Sequence, residues 1–222
     1  MGAAIGQSLP VAVGVLISPL PIVAVVLMLV SARARTNALA FVIGWFLAVL
    51  VLVGAVALAA GAAAPGDGPA EWTGWLKIGL GVLLVFLSVR QWLGRPRGDT
   101  EPPAPKWMAA IEQFTPVKSA GLAVLLGAVN PKNLLLVVSG GAAIAATQPV
   151  DTVTTVVAAL VFAVVASIGV VTPVVLYFAM GARAARTLDE LKTWMIRNNA
   201  AIMAVLLLVI GAKMLGDGVS VL

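Results

Sequence analysis

The sequence contains no cysteine and no histidine, and only 9 of its 222 residues are aspartate or glutamate. Disulfides, thiol nucleophiles and imidazole metal ligands are therefore excluded. No acidic residue falls in the core of a predicted apolar span, and hard divalent cations require clusters of carboxylates. We expect no metal site and no cofactor, and transport of a divalent cation is disfavoured.

Catalytic sequence motifs are also missing. The chain has no Walker motif, no redox motif and no catalytic dyad. Hydrolysis inside a membrane would need a serine, acid or histidine pair within an apolar segment, and the sequence offers none. We therefore expect that the protein is not an enzyme, and we expect no nucleic-acid partner.

Most residues of the chain are apolar. They make up 61% of the chain, charged residues make up 10%, and the mean hydropathy is +1.09. A soluble domain is roughly half apolar and a quarter charged, so the composition indicates an all-α integral membrane protein. A spanning helix needs about 20 mostly apolar residues. Six segments qualify, at approximately 9–30, 38–60, 72–92, 119–146, 152–180 and 199–219.

The loop charges predict the orientation. The stretch "MGAAIGQS" before the first span lacks the basic residues of a signal peptide, so we expect a retained span. Most basic residues lie in three loops: Arg33, Arg35, Arg90, Arg95, Arg97, Lys106, Lys118, Arg183, Arg186, Lys192 and Arg197. The positive-inside rule places these loops in the cytoplasm and both termini outside a plasma (inner) membrane.

Four residues of span three agree with this orientation. Trp72 and Trp75 lie at its predicted outer end and Trp92 at its inner end, as expected for aromatic belts at the two membrane interfaces. Lys77 lies about one and a half turns inside the outer end, from which its side chain can extend outward to the interface.

The longest loop divides into two parts. The stretch "LGRPRGDTEPPAP" is rich in proline, glycine and charge, which favours a flexible linker. The following "KWMAAIEQFTPVK" places Trp107, Met108, Ile111 and Phe114 at helical spacing, which predicts a short amphipathic helix on the inner face. A simple connector to span four is the alternative.

Two proline motifs indicate an internal repeat. The stretches "LISPLPIVAVVLMLVS" (16–31) and "AVNPKNLLLVVSGG" (128–141) share a polar residue before proline, then an aliphatic run and a serine. Each half of the chain holds three predicted spans, and an odd number of spans inverts the second half. We therefore predict two inverted three-helix repeats, 1–93 and 119–222, joined by a cytoplasmic linker, 94–118, with broken or kinked helices one and four.

Lys132 is a charged residue inside a predicted apolar span, and composition alone does not explain its position. From Ala120 to Lys132 is about 18 Å of helix, and the hydrocarbon core is about 30 Å thick, so Lys132 is expected near the midplane. An ammonium there costs at least ~2.5–3.5 kcal/mol, so it must face a wet cavity, pair with an acid or contact an anionic substrate. Alternatively, span four begins near residue 126 and the side chain extends to the inner surface.

The neighbours of Lys132 favour a binding cavity. Pro131 removes a backbone donor, and Asn130 and Asn133 can satisfy the exposed backbone groups. A half-helix beginning near Asn133 would direct its positive end at an anion. Ser18, Pro19 and Pro21 would form a facing break, although proline kinks without a site are the alternative there. We take as candidate substrate-binding residues Lys132, Asn130, Pro131, Asn133, Ser18, Pro19 and Pro21.

Span five contains a further proline. Thr172 precedes Pro173 in "SIGVVTPVVLYF", and its hydroxyl can bond to the carbonyl that proline leaves without a donor. We predict a kink or hinge at Thr172 and Pro173.

Two stretches of the chain resemble a known family. "KWMAAIEQFTPVKSAGLAVLLGAVNPKNLLL" (106–136) and "SPLPIVAVVLML" (18–29) are similar to the actinobacterial glycolipid-addressing proteins, which include sulfolipid-addressing and glycopeptidolipid-addressing members of the lysine-exporter superfamily. The resemblance implies six helices in the plasma membrane and a role in moving cell-envelope lipids outward. The family's proline motifs correspond to Ser18, Pro19, Pro21 and to Asn130 through Asn133, without an established catalytic role.

These observations leave three functional hypotheses. The first is an exporter or flippase that moves an anionic (glyco)lipid or related amphiphile by alternating access. The second is an exporter of a small solute such as an amino acid. The third is a non-transporting scaffold that docks lipid-biosynthesis or export proteins. For the transporter we expect a homodimer surrounded by membrane lipids.

Overall fold

The computed structural model describes residues 1–62, 71–95, 110–147, 151–220 and 222. The regular elements in these ranges are helices. They are α1 (Gly2–Leu16), α2 (Pro19–Leu29), α3 (Ala34–Ala62), α4 (Glu71–Leu93), a 3₁₀ turn (Ile111–Gln113), α5 (Pro116–Val124) continued by a π-helix (Leu125–Val129), α6 (Pro131–Ala145), α7 (Thr152–Met180) and α8 (Ala182–Val219).

The described helices confirm an all-α fold with four to six candidate membrane spans. Stretches of α3, α4, α7 and α8 are each long and apolar enough to cross a membrane. Two further candidates are bent pairs, α1 with α2 at 51° and α5 with α6 at 63°. The interruptions therefore lie in the first and fourth predicted spans, at the proline motifs.

A polar cap followed by proline begins each helix after an interruption. Ser18 precedes α2 with φ −63° and ψ 113°, and Asn130 precedes α6 with φ −58° and ψ 118°. This extended conformation is the one that a residue before proline prefers, and proline is well tolerated as the first helical residue because no partner is needed for its missing N–H. Thr115 begins α5 before Pro116 in the same way, and its hydroxyl accepts from the Lys118 N–H.

The core of the bundle lies around α2, whose residues are almost all buried. The helices α3 and α7 pack beside it and contribute Phe41, Trp45 and Phe162, which are among the largest fully buried side chains. The Trp45 indole N–H donates to the Ala166 carbonyl at 3.4 Å and joins these two helices.

The helices α4 and α8 form the most extensive pair and run antiparallel. A Cβ on Gly81 would lie 2.9 Å from the Gly211 carbonyl oxygen, and one on Gly218 would lie 2.9 Å from that of Gly74. Such close backbone approach is typical of small residues at membrane helix interfaces. One heptad further along, the Ser88 hydroxyl donates to the Ala204 carbonyl at 2.6 Å.

One predicted boundary differs from the structure, and one predicted helix lies partly outside the described residues. The sequence predicts that span six begins near residue 199, but α8 begins at Ala182, because the preceding basic segment is itself helical and carries the ion pairs Arg186–Glu190 and Lys192–Asp189. The predicted amphipathic helix lies partly outside the described residues, which omit Trp107 and Met108. In the described part, Ile111 is buried in the 3₁₀ turn, which packs against α2.

Candidate functional site

A π-helical segment precedes the break between α5 and α6. The Asn130 N–H donates to the Leu125 carbonyl at 2.7 Å, the i to i−5 pattern of a π-helix. Such wide turns are rare and occur frequently at functional sites. The chain then bends by 63° and α6 begins at Pro131, two residues before the expected start near Asn133.

The two asparagines satisfy backbone groups at the break, as the sequence predicts. The Asn130 side-chain oxygen accepts from the Lys132 N–H at 3.2 Å. The fully buried Asn133 donates its side-chain amide to the Leu126 carbonyl at 2.7 Å. Asn133 therefore holds the shape of the break from inside the protein.

A cavity of about 370 Å³ opens beside this break, and we call it the basic cavity. It is lined by Leu87, Arg90, Gln91, Asn130, Pro131, Lys132, Leu135 and Leu207. Three of the predicted site residues, Asn130, Pro131 and Lys132, thus line one cavity. Arg90 and Gln91, which the sequence analysis did not assign to the site, join them from the last turn of α4.

The charges in the basic cavity have one sign. Lys132 is partly buried and Arg90 is exposed, and none of the ion pairs between described residues involves either of them. The first turn of α6 adds the partial positive charge of a helix N-terminus. Because the remaining wall includes Leu87, Leu135 and Leu207, the cavity suits an anionic group attached to an apolar chain.

The comparison with known families agrees with this chemistry. The sequence model described as "Sap, sulfolipid-1-addressing protein" matches residues 9–220. The chain belongs to this sulfolipid-addressing family. No curated protein and no solved structure matches it. The family is named for lipid addressing and not for an enzymatic activity, and it confirms the resemblance noted in the proline motifs.

In this sulfolipid-addressing family member, the break between α1 and α2 is buried and does not line the basic cavity. Ser18, Pro19 and Pro21 are buried and are not among the described residues that line the basic cavity. Their helix α2 contacts the π-helical segment. The structure therefore packs α2 against the segment that precedes the second break, while of the two breaks the one at residue 130 lines the basic cavity.

The first break rests against α7. A Cβ on Gly169 would lie only 2.1 Å from the carbonyl oxygen of Leu16, the last residue of α1. The Thr172 hydroxyl donates to the Ile168 carbonyl at 2.8 Å, whereas the carbonyl that Pro173 leaves without its helical donor is that of Gly169. The helix α7 continues through Pro173 to Met180, and a hinge at Thr172 and Pro173 stays a prediction.

A second cavity, of about 430 Å³, lies at the other end of α2 and includes Ser31, Arg35, Tyr177 and Phe178. The Arg35 guanidinium lies 5.9 Å from the centroid of the Phe178 ring, within the distance of a cation–π contact. This cavity contains a single cation. We therefore consider the smaller basic cavity, with its two cations, the better candidate site.

A third, small cavity of about 20 Å³ contains charged residues that the sequence analysis did not assign to a site. It is lined by Gln7, Val11, Lys77, Ser139, Ala142, Ala143, Lys213, Met214 and Asp217. Lys213 and Asp217 form an ion pair within α8. Asp217 lies two residues from the C-terminal end of α8, and the K-x-x-x-D spacing, one helical turn, is the sequence signal for this pair.

Proposed function

We propose that this protein carries an anionic amphiphile across the plasma membrane and that Lys132 and Arg90 bind its head group. The observation that carries the proposal is the basic cavity, where two cations without a described carboxylate partner lie beside three leucines. An uncompensated cation that is partly buried beside apolar side chains, as Lys132 is, is costly, and an anionic head group would offset that cost. Membership of a sulfolipid-addressing family supports a lipid as the cargo.

The two cations suit different tasks. A guanidinium can donate two parallel hydrogen bonds to a sulfate or carboxylate, so Arg90 would fix the orientation of the head group. Lys132 would supply a point charge beside the first turn of α6. Gln91 and Asn130 offer neutral polar groups for sugar hydroxyls, and Asn133 would position the break without contacting the substrate.

The size of the basic cavity favours partial enclosure of the substrate. Pockets for small molecules range over about 300–1,000 Å³, and at about 370 Å³ this cavity holds a head group but not a complete lipid. The acyl chains would leave along Leu87, Leu135 and Leu207 and stay in the bilayer. We further propose that Arg90 marks the cytoplasmic end of α4, with both termini outside, so that loading occurs from the cytoplasmic leaflet.

Several contacts support an inverted repeat and alternating access. The caps of α2 and α6 have nearly the same dihedral angles. The helix α3 packs on α5 as α7 packs on α1, and the glycine contacts between α4 and α8 are reciprocal. These equivalences are those expected of two halves related by a pseudo-two-fold axis. We propose that the halves rock against each other, with Ser18, Pro19 and Pro21 at the second break and a hinge at Thr172 and Pro173.

A lipid-transfer assay tests this function. The purified protein is reconstituted into phosphatidylcholine vesicles with a trace of fluorescent sulfatide or of fluorescent galactosylceramide, which differ only by the sulfate. Transfer between leaflets is followed by chemical quenching of the outer leaflet. We expect faster transfer of sulfatide than of galactosylceramide, and loss of this difference in Lys132→Ala and Arg90→Ala.

A matched control variant shows whether sulfatide transfer depends on the cations of the basic cavity or on surface charge in general. Arg95 is a cation near the same end of α4, and its guanidinium lies 3.8 Å from the centroid of the Trp92 ring. It does not line the basic cavity. Arg95→Ala should retain the wild-type rate. Equal transfer of the two lipids by the wild type, or a normal sulfatide rate in folded Lys132→Ala, would refute the proposal. A wild-type protein that moves neither lipid but binds envelope-lipid enzymes in a pull-down would favour a scaffold.

A further inference from the structure

The small cavity shares α4, α6 and α8 with the basic cavity and is also lined by Gln7 and Val11 of α1. Going from the basic to the small cavity, α4 leads from Arg90 to Lys77 and α8 from Leu207 to Lys213. Along α6, Lys132 and Ser139 are two helical turns apart, which is about 10 Å. Because α4 and α8 run antiparallel, falling residue numbers along α4 and rising residue numbers along α8 lead in the same direction. The two cavities are therefore stacked along the length of the bundle.

Buried apolar residues lie between the two cavities on each helix. Leu84 of α4 is 1% exposed, Leu136 of α6 is 0% exposed and Ile210 of α8 is 3% exposed. Each lies between the residues that its helix contributes to the basic cavity and those it contributes to the small cavity. In this conformation, an apolar layer thus closes the route between the cavities.

The small cavity repeats the chemistry of the basic cavity with one difference. Lys77 and Lys213 line it, and Lys77 takes part in none of the ion pairs between described residues. Lys213 instead pairs with Asp217, one turn further along α8. A volume of about 20 Å³ has room for about one water molecule. The small cavity thus has far less free volume than the basic cavity, and a carboxylate already neutralises one of its two cations.

We propose that Lys77, Lys213 and Asp217, which we call the lysine–aspartate cluster, form a second binding site for the anionic head group, on the exit side of the apolar layer. This inference rests on the proposed function. Asp217 would act as the resident counter-ion of Lys213 and give way when a head group arrives. A large and a small cavity on shared helices, separated by an apolar layer, fit the arrangement that alternating access requires.

Another explanation uses the same contacts. A lysine one to two turns from the end of a span can extend to the lipid head groups, and an i, i+4 ion pair stabilises a helix by itself. In that case the cluster would hold α8 and Lys77 at the membrane surface without meeting the substrate. A charge swap, in which Lys213 and Asp217 are exchanged, distinguishes the two explanations, because it keeps the ion pair and moves the cation by one turn.

The first experiment uses the sulfatide-transfer assay. We expect Lys77→Gln, Lys213→Gln and the double variant Lys213→Asp/Asp217→Lys each to lower sulfatide transfer about tenfold, the loss expected for one charged contact. Sulfatide binding in detergent micelles should stay close to that of the wild type, because the basic cavity is unchanged. A charge swap that keeps the wild-type rate would show that only the ion pair matters.

The second experiment uses the absence of cysteine from the chain. Ala143→Cys places a single thiol in the small cavity, and Ser220→Cys places one at the exposed end of α8 as a control. A water-soluble thiol reagent should modify Ala143→Cys slowly, and several-fold faster with sulfatide but not with galactosylceramide. Modification of Ser220→Cys should not respond to either lipid.

The outcomes separate this inference from the proposed function. If the wild type shows no preference for sulfatide, both are overturned. If transfer depends on Lys132 and Arg90 but is normal in Lys77→Gln, Lys213→Gln and the charge swap, the lysine–aspartate cluster is not a binding site while the proposed function stands. Modification of Ala143→Cys that ignores sulfatide would also overturn the second site.

Discussion

Replacing Gly169 by alanine should displace the first break from α7. The added Cβ would lie 2.1 Å from the Leu16 carbonyl oxygen, whereas ordinary contact begins at 3.4 Å. The two backbones would have to separate by roughly 1 Å, since the obstacle is a main-chain atom and not the end of a flexible side chain. Overpacking of this kind costs about 1–3 kcal/mol.

The expected loss can be separated from the general effect of alanine in a helix. A Cβ added to Gly54 of α3 would meet no atom within 4 Å, so Gly54→Ala should stabilise the protein by up to about 1 kcal/mol through helix propensity. Thermal unfolding of both variants in the same detergent provides the measurement. The close approach would be refuted if Gly169→Ala unfolds at the same temperature as Gly54→Ala or at a higher one.

Two further substitutions test local features of the fold. Asn133→Leu should destabilise the protein by about 1–3 kcal/mol because the Leu126 carbonyl loses its buried donor. Asn198→Leu should have little effect, because the hydrogen bond from the Asn198 side chain to the Trp194 carbonyl is exposed. Equal losses in thermal unfolding would contradict this. Hydrogen bonds from the Thr154 side chain and N–H hold the pKa of Asp151 below the ordinary value of an aspartate. The cap therefore stabilises the fold above that ordinary value and loses its effect as the pH falls through the folded-state pKa. Asp151→Ala should lower the melting temperature at neutral pH but not in acid, and a difference that does not change with pH would refute this.

The breaks could be predicted because their causes are local. Pro19 and Pro131 each restrict the backbone of the polar residue before them and each remove one helical hydrogen bond, so the interruptions follow from neighbours in the chain. The role of Asn133 is local in the same sense, since its partner, Leu126, lies on the adjoining turn. The start of α8 at Ala182 could not be predicted from hydropathy, which assigns a charged segment to a loop, although the ion pairs of this segment favour a helix.

The lining of the site could not be predicted from the same signals. Arg90 follows an apolar segment and counts as an ordinary cytoplasmic charge until α4 is placed against the break. Ser18 has the same local sequence signal as Asn130, yet it is buried away from the basic cavity. The difference lies in which helices pack on each break, and that is a property of contacts between distant parts of the chain.

By itself, the sequence determined that this is a helical membrane protein interrupted at two prolines, because hydropathy and proline geometry are properties of continuous stretches of chain. Only the tertiary structure decided that Lys132 shares a cavity with Arg90, and that Lys77 lies beside the Lys213–Asp217 pair. The physical reason is that α4 and α8 meet through glycines more than 100 residues apart. Their close approach, rather than any local pattern, determines which charges line each cavity.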